Sequence, residues 1–404
     1  MIRVCHLAKY YAPFRGGIET HVQAIARAQN ASGLDVTVAC INHLDDRNQD
    51  VWCDRLARTS RQSATDGGVR LEKFGKFGTL ARFDFCTGLL GFLRNAPANF
   101  DILHLHVPNP TFSIAVAASK PSLPLVVTYH SDIVKQRFIR QPFRIVEKIV
   151  FNRVSQFIAA TAAYANSSEV LRSRLNQTTV IPFGLNLDPY TNPSPSALRF
   201  RDQLLQRSGG LPLWLCVGRF VYYKGFEHAI RALPQCRGRL ILVGSGELKT
   251  SLVSLAVELG VADRIEWLEK LSDDELVGAY HAATAFWFPS IVRSEAFGLV
   301  QIEAMASGCP VINTRIPGSG VAEVSRDNVS GITVAPASAN ELAAAANRLD
   351  TQPELLARLS KGAAQRASEH FSIQQMVEQT NDVYRSVLGL SAEASTASSA
   401  APIG

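Results

Sequence analysis

The chain has 404 residues, 47% hydrophobic and 19% charged, a globular composition long enough for two domains of ordinary size. The absence of any apolar run of about 18 residues argues against a membrane-spanning helix, and seven scattered cysteines without a CxxC argue against a disulfide framework or zinc site and for reduced thiols in a cytosol. The formal net charge of +6 suits a phosphorylated substrate, anionic lipid or nucleic acid.

MIRVCHLA reads as a strand, since it lacks the charged start and apolar core of a signal peptide. Apolar runs then predict strands at Ile2–Leu7, Val36–Ile41, Ile102–His106, Leu125–Thr128, Phe157–Ala160 and Thr179–Ile181. Helical segments between them imply a parallel sheet covered on both faces. The pattern stops at the Pro-, Asn- and Ser-rich stretch Ile181–Ala197, read as a domain junction. A second series follows, with strands predicted at Leu213–Val217, Leu240–Val243, Ile265–Leu268, Ala285–Phe288 and Pro310–Asn313, and helices at Glu227–Leu233 and Asp274–Ala283. The fold class is α/β, with two Rossmann-like domains, 1–187 and 198–370, facing a central cleft. A helix near 373–388 precedes a low-complexity tail, 391–404, expected to be disordered.

After the first strand, Gly16 and Gly17 permit a close backbone approach to a ligand, and a helix starts near Ile18. The dinucleotide fingerprint GxGxxG is missing here, and GSGELK (Gly244–Lys249) fails it too, reading as a turn at a strand end. In HLHVP, His104 and His106 are placed on opposite strand faces, one of them in the core, with no third ligand nearby to suggest a metal. His130 follows an apolar strand, where open α/β sheets place their ligands; Asp132 is either an acceptor-side base or a helix cap.

The segment Lys135–Val154 is a basic amphipathic stretch. It holds Lys135, Arg137, Arg140, Arg144, Lys148 and Arg153 against a single acid, Glu147, with interleaved Phe, Ile and Val. Such a stretch suits a membrane surface, through Arg137, Arg140, Arg144 and Lys148, or an ordinary half-buried helix. Nucleic acid is disfavoured, because no recognised nucleic-acid module is present.

Arg219 and Lys224 stand in a loop that opens a helix, where two fixed cations can hold a leaving diphosphate. Ser294–Gly308 places Glu295 and Glu303 eight residues apart around a turn and a helix start near Gly298. A carboxylate accepts two hydrogen bonds side by side, which suits the paired hydroxyls of a sugar or ribose. The helix start attracts phosphate. A nucleotide-sugar has all of these parts.

With these segments in order, the chain resembles the retaining glycosyltransferases of the two-Rossmann GT-B fold. Within them it looks like the bacterial polysaccharide and lipid-linked-sugar transferases of the E-x7-E type. The matching positions are Gly16 and Gly17, His130–Asp132, Val217–Gly225, Gly244–Gly246, Glu295 with Glu303, and Ala304–Ile312. The resemblance implies that His130 contacts the donor sugar near its reacting centre and that Arg219 and Lys224 bind the diphosphate. It implies that Glu295 holds donor-sugar hydroxyls, that the backbone of Phe297, Gly298 and Leu299 contacts sugar and phosphate, and that Glu303 binds the ribose diol. It also implies that the C-terminal helix crosses back to the N-terminal, acceptor-binding domain.

No metal is expected, since the DxD signature of the other main glycosyltransferase architecture is missing. Where the family often has a glycine beside the base, this chain has Glu269, a carboxylate able to accept from guanine. The wording SEAFGLVQIEAMA resembles mannosyltransferases of exopolysaccharide assembly. The expectation is a cytosolic, membrane-peripheral enzyme moving a hexose, with GDP-mannose the leading donor, to a lipid-linked glycan. The rivals are an epimerase or hydrolase on the same fold, and a non-catalytic scaffold.

Overall fold

A computed structural model of the protein describes residues 1–14, 16–42, 61–80, 83–86, 88–132 and 137–390. The tail 391–404 and Lys135 lie outside the described residues, as do the side chains of Arg137 and Arg140. No described helix is long and apolar enough to cross a membrane.

The first half builds an eight-stranded sheet. Its order is Thr178–Val180, Val154–Ala159, Leu125–Tyr129, Ile102–Val107, Arg3–Leu7, Asp35–Ile41, Val69–Phe74 and Arg61–Asp66. All neighbours run parallel except the last pair. The second half builds a six-stranded parallel sheet in the order Ile265–Leu268, Arg239–Val243, Leu213–Val217, Ala285–Phe288, Val311–Thr314 and Gly331–Val334. These are two Rossmann-like sheets. The central strands are continuous apolar runs because helices cover both faces; Leu125–Tyr129 and Ala285–Phe288 are buried throughout.

Each sheet has a point where the strand order turns back. In the first it lies between Arg3–Leu7 and Ile102–Val107; in the second, between Leu213–Val217 and Ala285–Phe288. The loops leaving the carboxyl ends of such strands diverge and open a crevice. They carry Gly16, Gly17, Arg219, Lys224 and Glu295.

Four features depart from the sequence reading. The edge pair Arg61–Asp66 and Val69–Phe74, the small hairpin Lys76–Leu80 with Phe83–Cys86, and the short strand Gly331–Val334 were not anticipated. Arg61–Asp66 carries polar residues and is exposed almost throughout, so it shows no apolar run; it is a strand because it pairs antiparallel with its neighbour. Finally, His104 and His106 are two apart on one strand and therefore share a face, not opposite faces. Both are buried, with ring centroids 4.5 Å apart.

Helix Ile373–Val387 lies against helix Gly17–Ala31, so the end of the chain closes back on the first sheet: Asn381 bonds Gln29 and Tyr384 bonds His104.

In the second sheet, the loops after Leu213–Val217 and Arg239–Val243 are laced together. The N–H of Gly218 donates to Val243 O (2.9 Å) and that of Phe220 to Ser245 O (2.8 Å). Gly244 has φ +134°, and a Cβ there would stand 2.1 Å from Gly218 O. GSGELK is thus a strand-end turn held against the Arg219 loop. Gly244→Ala should destabilise the fold by about 1–3 kcal/mol, read as a lower Tm, because neither the backbone angle nor the space tolerates a methyl group. An unchanged Tm would show that this packing does not hold the loop.

Candidate active site

The strand Leu213–Val217 ends in a loop that carries Arg219 and Lys224; Ala285–Phe288 ends in one that carries Glu295. Lys224 Nζ lies 2.6 Å from Glu295 Oε2, with both side chains largely buried. Ser290 Oγ donates to the same carboxylate oxygen at 3.4 Å. Lys224 also stands over the Phe288 ring, 4.9 Å from its centroid. Arg219 is exposed and touches the Tyr223 hydroxyl at 3.2 Å.

Gly298 precedes helix Leu299–Ala306 with φ +82°, and a Cβ would meet the Phe288 ring at 2.5 Å. Only glycine permits that close turn. No side chain caps this helix; the Gln301 N–H turns back to Gly298 O at 3.0 Å, and an uncapped helix start of this kind suits an anion. One turn into the helix, Glu303 Oε2 accepts from the Tyr280 hydroxyl at 2.8 Å. Burial pushes its carboxyl up to about 7, against the pull of that hydrogen bond. At the sheet's edge, Lys249 sits 4.0 Å from the centroid of Trp267. Burial lowers the Lys249 amine, and the charge of the exposed Glu269 opposes that shift. Glu269, Lys249 and Trp267 form a separate corner of the crevice.

The facing wall belongs to the first sheet. His130 is buried, and its pKa is lowered to about 3 by loss of water. Its Nε2 lies 3.2 Å from Nδ1 of His106. Phe183 packs with its ring tilted against His130, at 4.9 Å between centroids, and meets Phe297 edge-on at 5.0 Å. That aromatic bridge joins the wall bearing His130 to the loop bearing Glu295. At the glycine loop, Gly16 precedes helix Gly17–Ala31 and Gly17 has open space beside it. The carboxylate of Glu19 folds back on Gly16: a Cβ at Gly16 would meet Glu19 Oε2 at 2.3 Å. Burial raises the Glu19 carboxyl, while the charges of Arg219 and Lys9 pull it down, so Arg219 and Glu19 sense each other across the cleft.

Asp132 is held by contacts that join the two halves of the chain. Its Oδ1 accepts from the hydroxyls of Tyr129 (2.8 Å) and Ser168 (2.9 Å), and Oδ2 pairs with Arg293 of the other half at 2.8 Å. Beside it, Glu323 accepts from the N–H groups of Ala162 and Ala163, and Ser167 Oγ donates to Gly318 O at 2.7 Å. Four side chains thus tie the two halves together behind the cleft.

In the basic helix Arg137–Phe151, Arg144 pairs with Glu169 at 3.0 Å, and Lys148, Ile145 and Ile149 are exposed. Arg153 donates to Pro121 O, which turns it away from that surface.

Lys224 and Glu295 are thus in contact, Gly298, Leu299 and Glu303 follow on the adjoining turn and helix, and His130 is linked to that loop through Phe183 and Phe297. Glu19, Arg293, Lys249 and Trp267 were missed. Glu19 stands three residues after Gly16 in the first helical turn, a signal that the glycine pair overshadowed. Arg293 carries no local signal, because its partner lies 161 residues away.

The chain matches the family model described as glycosyl transferases group 1 over residues 201–366, and the glycosyl transferase 4-like domain over 16–184. It is 26% identical to O-antigen chain mannosyltransferase C of Escherichia coli, covering 96% of this chain and 99% of that one. It is 28% identical to D-rhamnosyltransferase WbpZ of Pseudomonas aeruginosa, covering 92% of each. Among solved structures, Anabaena HepE in complex with UDP superposes with a TM-score of 0.76 at 20% identity, over 95% of this chain and 100% of that one.

The raised Glu303 carboxyl has a sign that can be checked. Its folded pKa of about 7 lies above the ordinary 4.5, so the folded chain holds this proton more tightly than the unfolded one. That stabilisation is complete below the ordinary pKa and is lost as pH rises through the folded one. Glu303→Gln removes the titration. Between about pH 5 and pH 8 the variant should therefore gain stability relative to the parent, by up to about 3 kcal/mol. A Tm difference independent of pH would contradict the assignment.

Proposed function

This chain belongs to the group 1 glycosyltransferases of the GT-B fold, and from that premise we propose that it transfers a hexose with retention from a nucleoside-diphosphate sugar to a lipid-linked glycan. The observation that carries the reading is the buried Lys224–Glu295 pair beside the uncapped helix start at Gly298. A cation, a hydrogen-bond-accepting carboxylate and, three residues on from that carboxylate, an uncapped helix start follow one another on these loops, which is what a sugar joined to a diphosphate requires. Arg219 and Lys224 neutralise the departing diphosphate without a metal ion. Glu295 accepts from donor-sugar hydroxyls, and the Glu303 carboxyl, ionised as pH rises through about 7, accepts from the ribose diol. Attack comes from the acceptor on the same face as the leaving phosphate, whose oxygen takes the proton. Cleft closure excludes water that would otherwise hydrolyse the donor.

The names of the two relatives favour mannose or a related hexose and an O-antigen-type acceptor. Glu269 at the crevice corner favours guanine, and GDP-mannose is the proposed donor. The exposed Arg144, Ile145, Lys148 and Ile149 suit adsorption to the inner face of a cytoplasmic membrane, where a lipid-linked acceptor resides.

A screen of GDP- and UDP-sugars against glycolipid acceptors tests the reading. Mannosyl transfer from GDP-mannose is expected, and Glu295→Gln should lower it by roughly a hundredfold or more; because Lys224 loses its partner the Tm should fall too, so transfer is compared well below the variant's Tm. Near-normal transfer in that variant would remove Glu295 from the site. For the surface, Arg144→Glu combined with Lys148→Glu should weaken sedimentation with anionic vesicles by roughly tenfold or more. Equal sedimentation of parent and variant would return this helix to an ordinary solvated face.

A further inference from the structure

Behind His130 lies a hydrogen-bonded chain that reaches the C-terminal helix. His130 Nε2 meets His106 Nδ1 at 3.2 Å, and His106 Nε2 meets His6 Nδ1 at 2.9 Å. His6 Nε2 meets Gln29 Oε1 at 2.8 Å, and Gln29 Nε2 donates to Asn381 Oδ1 at 3.0 Å. Asn381 Nδ2 donates to Ser32 Oγ at 3.4 Å, and Ser32 Oγ donates to the backbone oxygen of Gln29 at 2.9 Å. Gln29, His6 and His106 are almost completely buried, as is Asn381.

A backbone carbonyl can only accept, so the sense of the chain is set at that end. Ser32 gives its proton to the carbonyl and takes one from Asn381. The Asn381 oxygen then faces the Gln29 amide nitrogen, and the Gln29 oxygen faces His6. Burial lowers the pKa of His6 to about 4 and holds His106 well below its ordinary 6.5, so each ring carries one proton. His6 must carry it on Nε2 to donate to Gln29. Its Nδ1 then accepts from His106 Nε2–H, and His106 Nδ1 accepts from His130 Nε2–H.

We propose that Asn381 and Gln29 are positioning residues that fix His130 as its Nε2–H tautomer, leaving the Nδ1 lone pair toward the cleft as a hydrogen-bond acceptor. Nδ1 has no hydrogen-bond partner among the described residues and is not among the sealed, unpartnered buried atoms. The inference deepens the proposed function, on which its substrate side rests: the donor sugar must present a hydroxyl to His130, not an oxyanion. The opposite sense of the chain is chemically possible. If the Gln29 amide turned over, every proton would shift and His130 would become a donor at Nδ1. Asn381 prevents this, so the C-terminal helix governs a ring that it reaches only through Gln29, His6 and His106.

The test uses the full chain with its histidines labelled by ¹⁵N, reading ring tautomers by long-range ¹H–¹⁵N correlation. The parent should show His130 protonated at Nε2. Asn381→Asp keeps the acceptor for Gln29 and should keep both that pattern and activity. Asn381→Leu releases the amide and should give mixed tautomers at His6, His106 and His130, with kcat/KM lower by about tenfold or more. Protonation of His130 at Nδ1 in the parent would overturn the proposal. So would an unchanged pattern in Asn381→Leu, or stoichiometric Zn²⁺ binding by these rings, which would consume the lone pairs the chain uses. The spectra need no donor, so they stand even if no sugar transfer is found. Lost activity with unchanged tautomers would assign Asn381 a purely structural role.

Discussion

Lys224 and Glu295 face each other 2.6 Å apart, largely out of water, and the rest of the site is arranged around that pairing. Two charges removed from solvent are tolerable only while each satisfies the other. Their loops leave the two strands between which the order of the second sheet turns back. The pair thus stands at the one place on that sheet where a crevice is unavoidable. A bound donor offers each partner something in exchange: phosphate oxygens for the ammonium and hydroxyl protons for the carboxylate. The free chain keeps both groups desolvated and in place, so little rearrangement is needed when the donor arrives.

The first half supplies the opposite wall by different means. Its polar groups are neutral rather than paired: burial strips the positive charge from His6, His106 and His130, and hydrogen bonds fix where their protons lie. Behind the cleft, the Asp132–Arg293 ion pair and the capping of Ala162 and Ala163 by Glu323 hold the two walls in register. A charged wall thus suits the diphosphate and a neutral, hydrogen-bonding wall the sugar.

The parts of this arrangement that were legible in the sequence share one property: the signal is local. Leu213–Val217, Ile265–Leu268 and Ala285–Phe288 were anticipated to the residue because an apolar run between turn residues is its own evidence. The loops bearing Arg219, Lys224 and Glu295 follow such runs directly, and the helix bearing Glu303 opens just beyond. What escaped is non-local. Arg61–Asp66 is a strand only through its partner. The pairing of Asp132 with Arg293 was not legible, because Arg293 is far away in the chain. The histidine chain spans Asn381 to His6, and no window of sequence contains both. His104 and His106 were put on opposite faces, although strand periodicity places residues two apart on the same face.

The central claim is that the two walls grip one donor sugar, His130 from one side and Glu295 from the other. A double-mutant cycle across the cleft tests it most directly, with kcat/KM for sugar transfer measured in the parent, His130→Ala, Glu295→Gln and the double variant. Groups that hold the same sugar should be coupled, so the double variant should lose much less than the product of the single losses, by an interaction of about 0.5–3 kcal/mol. Losses that multiply cleanly would mean that the two residues act independently, and that the cleft does not close on a shared substrate.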